Sequence, residues 1–307
     1  MHFTSIPNLE KSFIQQLTSA GKLTPFTYGT APEQVEGLFY TSPNTHFFFE
    51  EIVPKKRIVL HFTAGHLKGD LNQLSQQDYH VSVPFVIGRN GTIFQLFSSK
   101  HWSHHLGMSS NNPGKIYDKE SIAIEISNYG WLNKVGSNLE TAYSRALNNT
   151  TGKKNPIDIY ADLSETEAYK EINPPYREKK FYAAYTDAQL KSLIRLVRWL
   201  CQKYQIPKAV LPPELRFEST KAARDFAGIV SHVNYRTDGK WDIGPAFDWD
   251  GFVSGLNAPV PSATRGATMK SKPGVTEEAF TKNKNKGDRY ESTKRTVMRA
   301  YDPGNWE

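Results

Sequence analysis

Five residues of this chain have the types and the spacing to do chemistry together: His61, Glu125, His232, Lys240 and Asp242. A catalytic zinc ion needs three protein ligands and one open position, and His nitrogen and Asp oxygen are suitable donors. In "SHVNYRTDGKWDIGPAFDWDGF" (231–252), His232 stands ten residues before Asp242, so the two cannot share a helix face and a loop must fold back. Asp238-Gly239 supplies such a turn. In an extended Lys240-Trp241-Asp242 segment, residues two apart point the same way, which places Lys240 beside Asp242 and turns Trp241 toward the core. His61 is followed shortly by the small residues Thr63-Ala64-Gly65, which would let a substrate approach closely. A carboxylate at Glu125 could take a proton from a water at the open position and later return it to a leaving amine. Lys240 would stabilise the oxyanion formed when a carbonyl is attacked, an effect of roughly 3–4 kcal/mol for one donor. Together these parts describe amide hydrolysis.

Taken singly, each residue also has an ordinary reading. An isolated His at a strand end is commonly a hydrogen-bonded core or surface residue. Glu125 could be the solvated face of an edge strand. Lys240 and Asp242 could be an exposed pair that contributes little.

The elements that must position these residues are partly readable. "RIVLHF" (57–62) is a near-continuous, β-branched apolar run, the signature of a strand buried on both faces, with His61 near its C-terminal end. "SIAIEIS" (121–127) alternates, so that Ile122, Ile124 and Ile126 point one way and Ser121, Ala123 and Glu125 the other. "VSVPFVIGRNGTIFQLF" (81–97) reads as two strands around a type I′ turn at Asn90-Gly91. Asn8 to Ala20 reads as a short helix with Leu9, Phe13 and Leu17 on one face, and "GDLNQLSQ" begins another. From Thr186, a capping box with Gln189 precedes Leu190, Leu193, Ile194, Val197, Cys201 and Tyr204 at helical spacing, ending before Pro207. Residues 24–56 and 131–185 carry no clear periodicity. The sum predicts an α/β fold with a mixed central β-sheet flanked by helices. Its domain plan is an N-terminal extension (1–54) packing on a catalytic domain (55–256) interrupted by an insertion (131–185), then a basic linker and tail (257–307).

The bulk numbers exclude several classes. The chain has 307 residues and a formal net charge of +7. From Asn257 onward, ten Lys+Arg stand against six Asp+Glu, so the tail contributes +4 and the rest only +3. A basic surplus suits an anionic polymer, but no basic patch is interleaved with aromatics, so nucleic acid is not expected as a partner. The single cysteine, Cys201, permits no internal disulfide and reads as a small core residue. No apolar run is long enough to span a membrane, and the first residues lack the pattern of a Sec signal peptide. Nothing in the sequence bears on oligomeric state.

Five separated motifs, "IVLHFTAG", "FVIGRNGTIFQLF", "HHLG", "SIAIEI" and "H…KWDIGPAFDW", stand in the order found in zinc-dependent N-acetylmuramoyl-L-alanine amidases of the amidase-2 family. That family also includes peptidoglycan recognition proteins and phage lysozyme-amidases. The resemblance covers roughly residues 55–130 and 186–252. It implies zinc on His61, His232 and Asp242, Glu125 as general base, Lys240 on the tetrahedral intermediate, and cleavage between N-acetylmuramic acid and L-alanine in peptidoglycan or muropeptides. His105, in "HHLG", matches a family histidine near the site and is expected to touch substrate, with Thr63, Trp102 and His104 as weaker candidates. One departure is Val83, where many relatives carry a catalytic tyrosine; relatives that use Glu and Lys do not need it. The rival reading is a binding module of the same fold that does not cleave. The expected settings are cytoplasmic muropeptide recycling, a phage endolysin released by a holin, or an effector exported by a dedicated secretion machine.

Overall fold

The computed structural model describes residues 1–30, 33–108, 111–148 and 152–257. The expected tail beyond residue 257 lies outside the described residues. In chain order the first part runs α1 (Ile6–Ser19), β1 (Leu23–Tyr28), β2 (Val35–Tyr40), β3 (Arg57–Phe62), α2 (Leu67–Leu74), β4 (Phe85–Ile87), β5 (Ile93–Gln95), α3 (Ile116–Lys119) and β6 (Ser121–Ile126). Then come β7 (Trp131–Val135), β8 (Asn138–Thr141), β9 (Leu147–Asn148), β10 (Lys153–Lys154), β11 (Ile159–Asp162), β12 (Tyr169–Tyr176) and β13 (Lys179–Ala183). The last part is α4 (Asp187–Tyr204), α5 (Lys221–Asp225), β14 (Gly228–Ser231) and α6 (Trp249–Asn257).

The main sheet has the order β1-β2-β5-β4-β6-β3-β14, with β4, β6, β3 and β14 running parallel and the β1–β2 and β4–β5 pairs antiparallel. It is the mixed, helix-flanked sheet that the sequence predicts. Its centre is buried on both sides because β3 and β6 are apolar on both. Ile58, Leu60, Ile122, Ile124 and Ile126 pack on Leu193, Leu196, Val197 and Leu200 of α4. On the other face, Val86, Phe94 and Ala123 meet Leu67, Leu71 and Leu74 of α2. Each fully buried aliphatic side chain contributes about 1.5–3 kcal/mol over its exposed state. Cys201 lies in this core, where burial pushes its thiol up to about 11.

The capping box forms: Thr186 Oγ1 accepts from the Gln189 N–H and Gln189 Oε1 from the Thr186 N–H, each at 3.1 Å. Gln189 also donates to the Ser127 carbonyl (2.8 Å), which ties the start of α4 to the end of β6.

Three expectations about these elements are corrected. Within residues 24–56, read as irregular, β1 and β2 pair antiparallel at the sheet edge; Pro25 is tolerated there because β1 pairs on one side only. The Asn90-Gly91 turn is not type I′. Gly88 and Thr92 continue the ladder, and in the three-residue loop between them only Gly91 has positive φ (+84°). Leu9 is 47% exposed, and the buried stripe of α1 is Ile6 and Glu10 with Phe13, Ile14 and Leu17 alongside. Within 131–185, for which the sequence assigns no structure, lies a second sheet, β11-β8-β7-β13-β12, all antiparallel, and β9 pairs with β10. It has its own core of Tyr129, Leu132, Leu139, Tyr160, Phe181 and neighbours, into which Ile6 of α1 inserts.

Candidate active site

The parallel ladder brings three of the five singled-out residues into one row. In the β3–β6 register His61 stands opposite Glu125, and Leu60 stands opposite Ser231, the last residue of β14. His232 follows at once in a one-turn 3₁₀ helix. Asn234 pins that turn. Its Oδ1 accepts from the Ser231 N–H (2.8 Å), and its Nδ2 donates to the carbonyls of Leu215, Arg216 and Glu218. The chain then folds back through Asp238-Gly239, with Gly239 at φ +64°, and the Val233 N–H donates to the Asp242 carbonyl (3.1 Å). The row therefore sits at the carboxyl ends of parallel strands, where open α/β sheets place their ligands.

His61 Nδ1, His232 Nδ1 and Asp242 Oδ2 converge, with separations of 2.9, 3.1 and 2.9 Å, and all three side chains are buried. The proton positions follow from the surrounding network. His232 Nε2 faces the Leu106 carbonyl at 3.0 Å; a carbonyl only accepts, so this nitrogen carries the hydrogen and Nδ1 is bare. Ser121 donates its one hydroxyl hydrogen to the Tyr117 carbonyl (2.6 Å), so it accepts from His105 Nε2–H (2.8 Å). His105 Nδ1 is then the acceptor for His61 Nε2–H (3.1 Å), and His61 Nδ1 is bare as well. Asp118 holds this frame, accepting from the backbone N–H groups of both His105 and Leu106 (2.9 and 3.1 Å). Two lone pairs and a carboxylate thus point at one spot and repel unless a cation lies between them. Tetrahedral donors about 2.0–2.1 Å from an ion stand about 3.3 Å apart, close to the spacing here. The group can hold a divalent metal ion.

The electrostatics agree with this fit. Burial pushes His61 down to about 4, against the opposing pull of the adjacent Asp242 carboxylate. Burial and the neighbouring imidazoles hold His105 well below the usual histidine range. Burial alone would raise Asp242, but His232 and His61 outweigh it and hold the carboxyl well below its ordinary value. Burial, then the charges of Asp242 and Asp70, push Glu125 well above the carboxylate range, and Lys240 opposes the rise. Glu125 Oε2 is enclosed and has no hydrogen-bond partner among the described residues.

A groove of about 690 Å³ opens over this cluster. Glu125, Lys240, Thr63, His104 and His105 line it, and Trp131 and Tyr143 of the second-sheet segment form part of its wall. The other singled-out residues fall in different places. His105 borders the groove, but both its ring nitrogens are taken by His61 and Ser121, which leaves neither for a substrate. Trp102 lies away from the groove: it is buried, stacks on Phe49 at 4.1 Å and donates to Glu51 (3.0 Å). Val83 is a core residue at 1% exposure that also borders the groove. Trp241 does not face the core. Residues 239–242 form no strand, so strand alternation does not apply, and the half-buried indole lines the groove with Lys240 and Asp242.

Reasoning from sequence missed Asp70, which burial raises to about 7 against hydrogen bonds from Ser127 and Thr63. A signal was present. Leu67, Asp70, Leu71 and Leu74 occupy one helical stripe, so the acid stands where an apolar residue belongs.

A family model described as N-acetylmuramoyl-L-alanine amidase, Amidase_2, matches residues 53–245. No curated protein sequence matches the chain. Among solved structures, the chain is similar to the AmiD amidase of E. coli in complex with an anhydro-N-acetylmuramic acid peptide, at 18% identity, 75% of this chain, 65% of that one and a TM-score of 0.39. It is also similar to the N-acetylmuramoyl-L-alanine amidase LysC of Clostridium intestinale (16% identity, 71% of this chain, 92% of that one, TM-score 0.34). A third is AmpDh3 of Pseudomonas aeruginosa (15% identity, 67% and 61%, TM-score 0.39). The chain therefore spans slightly less than two thirds of AmiD and of AmpDh3. With the family model reaching over more than half of its length, this protein belongs to the Amidase_2 family of N-acetylmuramoyl-L-alanine amidases.

Proposed function

We propose that this protein is a zinc-dependent hydrolase that cuts the amide between N-acetylmuramic acid and L-alanine in peptidoglycan or its soluble fragments. The observation that carries the reading is the convergence of His61 Nδ1, His232 Nδ1 and Asp242 Oδ2 beside Glu125 and Lys240 in one groove. Family membership supports the choice of bond, and the two nitrogen donors and one carboxylate suit zinc. A zinc ion held by these three residues would acidify a water and polarise the scissile carbonyl.

The chain's own residues do the rest. His105 and the Leu106 carbonyl hold the two imidazoles as Nε2–H tautomers, so their donor nitrogens stay aimed at the ion. Glu125 takes the proton of the attacking water. Burial, Asp242 and Asp70 bias its carboxyl toward the protonated form against Lys240, and a cation held by the three ligands would oppose that bias. The same bias then favours delivery of the proton to the departing nitrogen. The Lys240 ammonium, on the groove wall, faces the charge that grows on the attacked carbonyl oxygen.

The test is digestion of intact sacculi and of soluble muropeptides by the zinc-loaded protein, with and without a chelator, followed by product analysis. New N-terminal alanine that disappears on chelation and returns with zinc is the expected result. Binding without metal-dependent cleavage would make the protein a recognition module instead.

A further inference from the structure

The turn between β12 and β13 reaches across to the loop that carries Lys240 and Asp242. Arg177 Nη1 donates to the Thr237 carbonyl at 2.8 Å and also to the Lys240 carbonyl. Tyr185, just after β13, donates to the Ile243 carbonyl at 2.9 Å. Three carbonyls of this loop thus take their hydrogen bonds from side chains at or beside the second sheet. The loop has no strand or helix over residues 237–242, so its carbonyls have no regular ladder to join, and such groups need donors. A second hold is aromatic: Trp131 of β7 packs on Trp241 at 5.6 Å, with the Lys179 ammonium 3.8 Å from the centre of the Trp131 ring.

Arg177 is well placed to act as a fixed arm. It stands in a two-residue turn closed by the Tyr176–Lys179 pair, with φ of 48° at Arg177 and 64° at Glu178, the signs of a tight primed hairpin. Its guanidinium lies 5.0 Å from the centre of the Tyr176 ring, so the arm is steadied by its own hairpin. His61 and His232 do not depend on it. They stand on β3 and directly after β14, and their ring nitrogens are bonded to His105 and Leu106.

We infer that Arg177 is a positioning residue: the second sheet, through this side chain, holds Lys240 at its working place over the groove. This rests on the hydrolytic reading above. The second sheet is then part of the active site's support as well as part of its wall. Without the guanidinium, the Thr237 and Lys240 carbonyls turn to water and the loop samples positions in which the ammonium is displaced. A misplacement of about 1 Å is enough to cost on the order of 100-fold in rate.

The experiment uses the full zinc-loaded chain with Arg177→Ala and Arg177→Lys. For Arg177→Ala, kcat on a muropeptide should fall on the order of 10- to 100-fold with KM little changed and zinc content intact. Backbone amides of residues 237–244 should exchange with solvent faster than in the wild type. Arg177→Lys, which keeps a donor, should recover part of kcat, and added guanidinium ion should restore part of the activity of the Ala variant. Wild-type turnover in Arg177→Ala would overturn the proposal, as would a loss with unchanged amide exchange or with no recovery by Lys or guanidinium. If the wild type itself cleaves no muropeptide, the hydrolytic reading fails, while amide exchange still decides whether Arg177 holds the loop.

Discussion

The seven-stranded sheet encloses β3 on both faces, whereas the five-stranded sheet leaves most of β12 open to solvent. In the first, parallel strands are clamped between α4 and α2, and His61, Glu125 and His232 stand at their carboxyl ends. In the second, antiparallel strands close over a small aromatic core, and none of its described residues belongs to the His61–His232–Asp242 group. The two also meet where β6 leads into β7. Asn128 donates to the carbonyls of Ala183 and Ala184 (3.2 Å each), and a Cβ at Gly130 would come within 2.4 Å of the Phe62 ring. The contrast teaches a division of labour: fixed distances come from the doubly buried ladder, and the shape of the groove comes from a lighter structure leaning on it.

The largest effect that would test this division is at the group where the loop meets the ladder, His61, His232 and Asp242. Asp242→Ala leaves two nitrogen donors where a catalytic zinc uses three protein ligands, so both metal content and hydrolysis should fall to background. Glu125→Gln should keep its zinc yet lose on the order of 10³-fold in kcat; full turnover in this variant would remove Glu125 from the chemistry. On the other side, Phe181→Ala opens the second core and should lower stability by about 3 kcal/mol, read from a denaturant midpoint, without changing zinc affinity. A parallel loss of zinc affinity would mean that the two sheets are one cooperative unit. His105→Phe should weaken zinc binding on the order of 10- to 100-fold by releasing the His61 ring, measured by competition titration.

The smallest effect lies at the seam. Glu10 of α1 is buried between the two cores, accepts from the Arg89 N–H (3.0 Å) and is raised by burial to about 7. Its folded value lies above its unfolded one, so its contribution to stability is fully present below about pH 4.5 and is lost as pH rises through about 7. The wild type should therefore melt lower at pH 8 than at pH 5. Glu10→Gln should remove roughly 2 kcal/mol of that difference. Equal pH profiles for the two proteins would show that Glu10 stays ionised in the fold.

What could be read from the sequence divides along the same line. β3 is legible because a strand buried twice is nearly apolar throughout, β6 because its isoleucines alternate, and α4 because a helix on a sheet must repeat every three to four residues. The second sheet is not legible. β12, "YKEINPPY", carries a Pro-Pro pair that argues against a strand, and it is admitted because the ladder with β13 is interrupted between Glu171 and Tyr176. Within the site, His61 and Glu125 can be placed from strand alternation alone. Trp241 cannot, because its segment is no strand and its path is set by Arg177, Tyr185 and Val233 from elsewhere in the chain. Local pattern cannot carry that information.

The pairing of His61 with Glu125 across β3 and β6 has one more consequence. Their separation follows from the repeat of adjacent strands, about 4.8 Å, and so is a property of the peptide backbone more than of either side chain. Such an interval cannot drift gradually. It changes only if a strand slips, and a slip of one residue turns every side chain of that strand to the other face. Loops around the groove, and even a whole additional sheet, can be rebuilt while the spacing at the centre stays the same, so the substrate can change without the chemistry having to be found again.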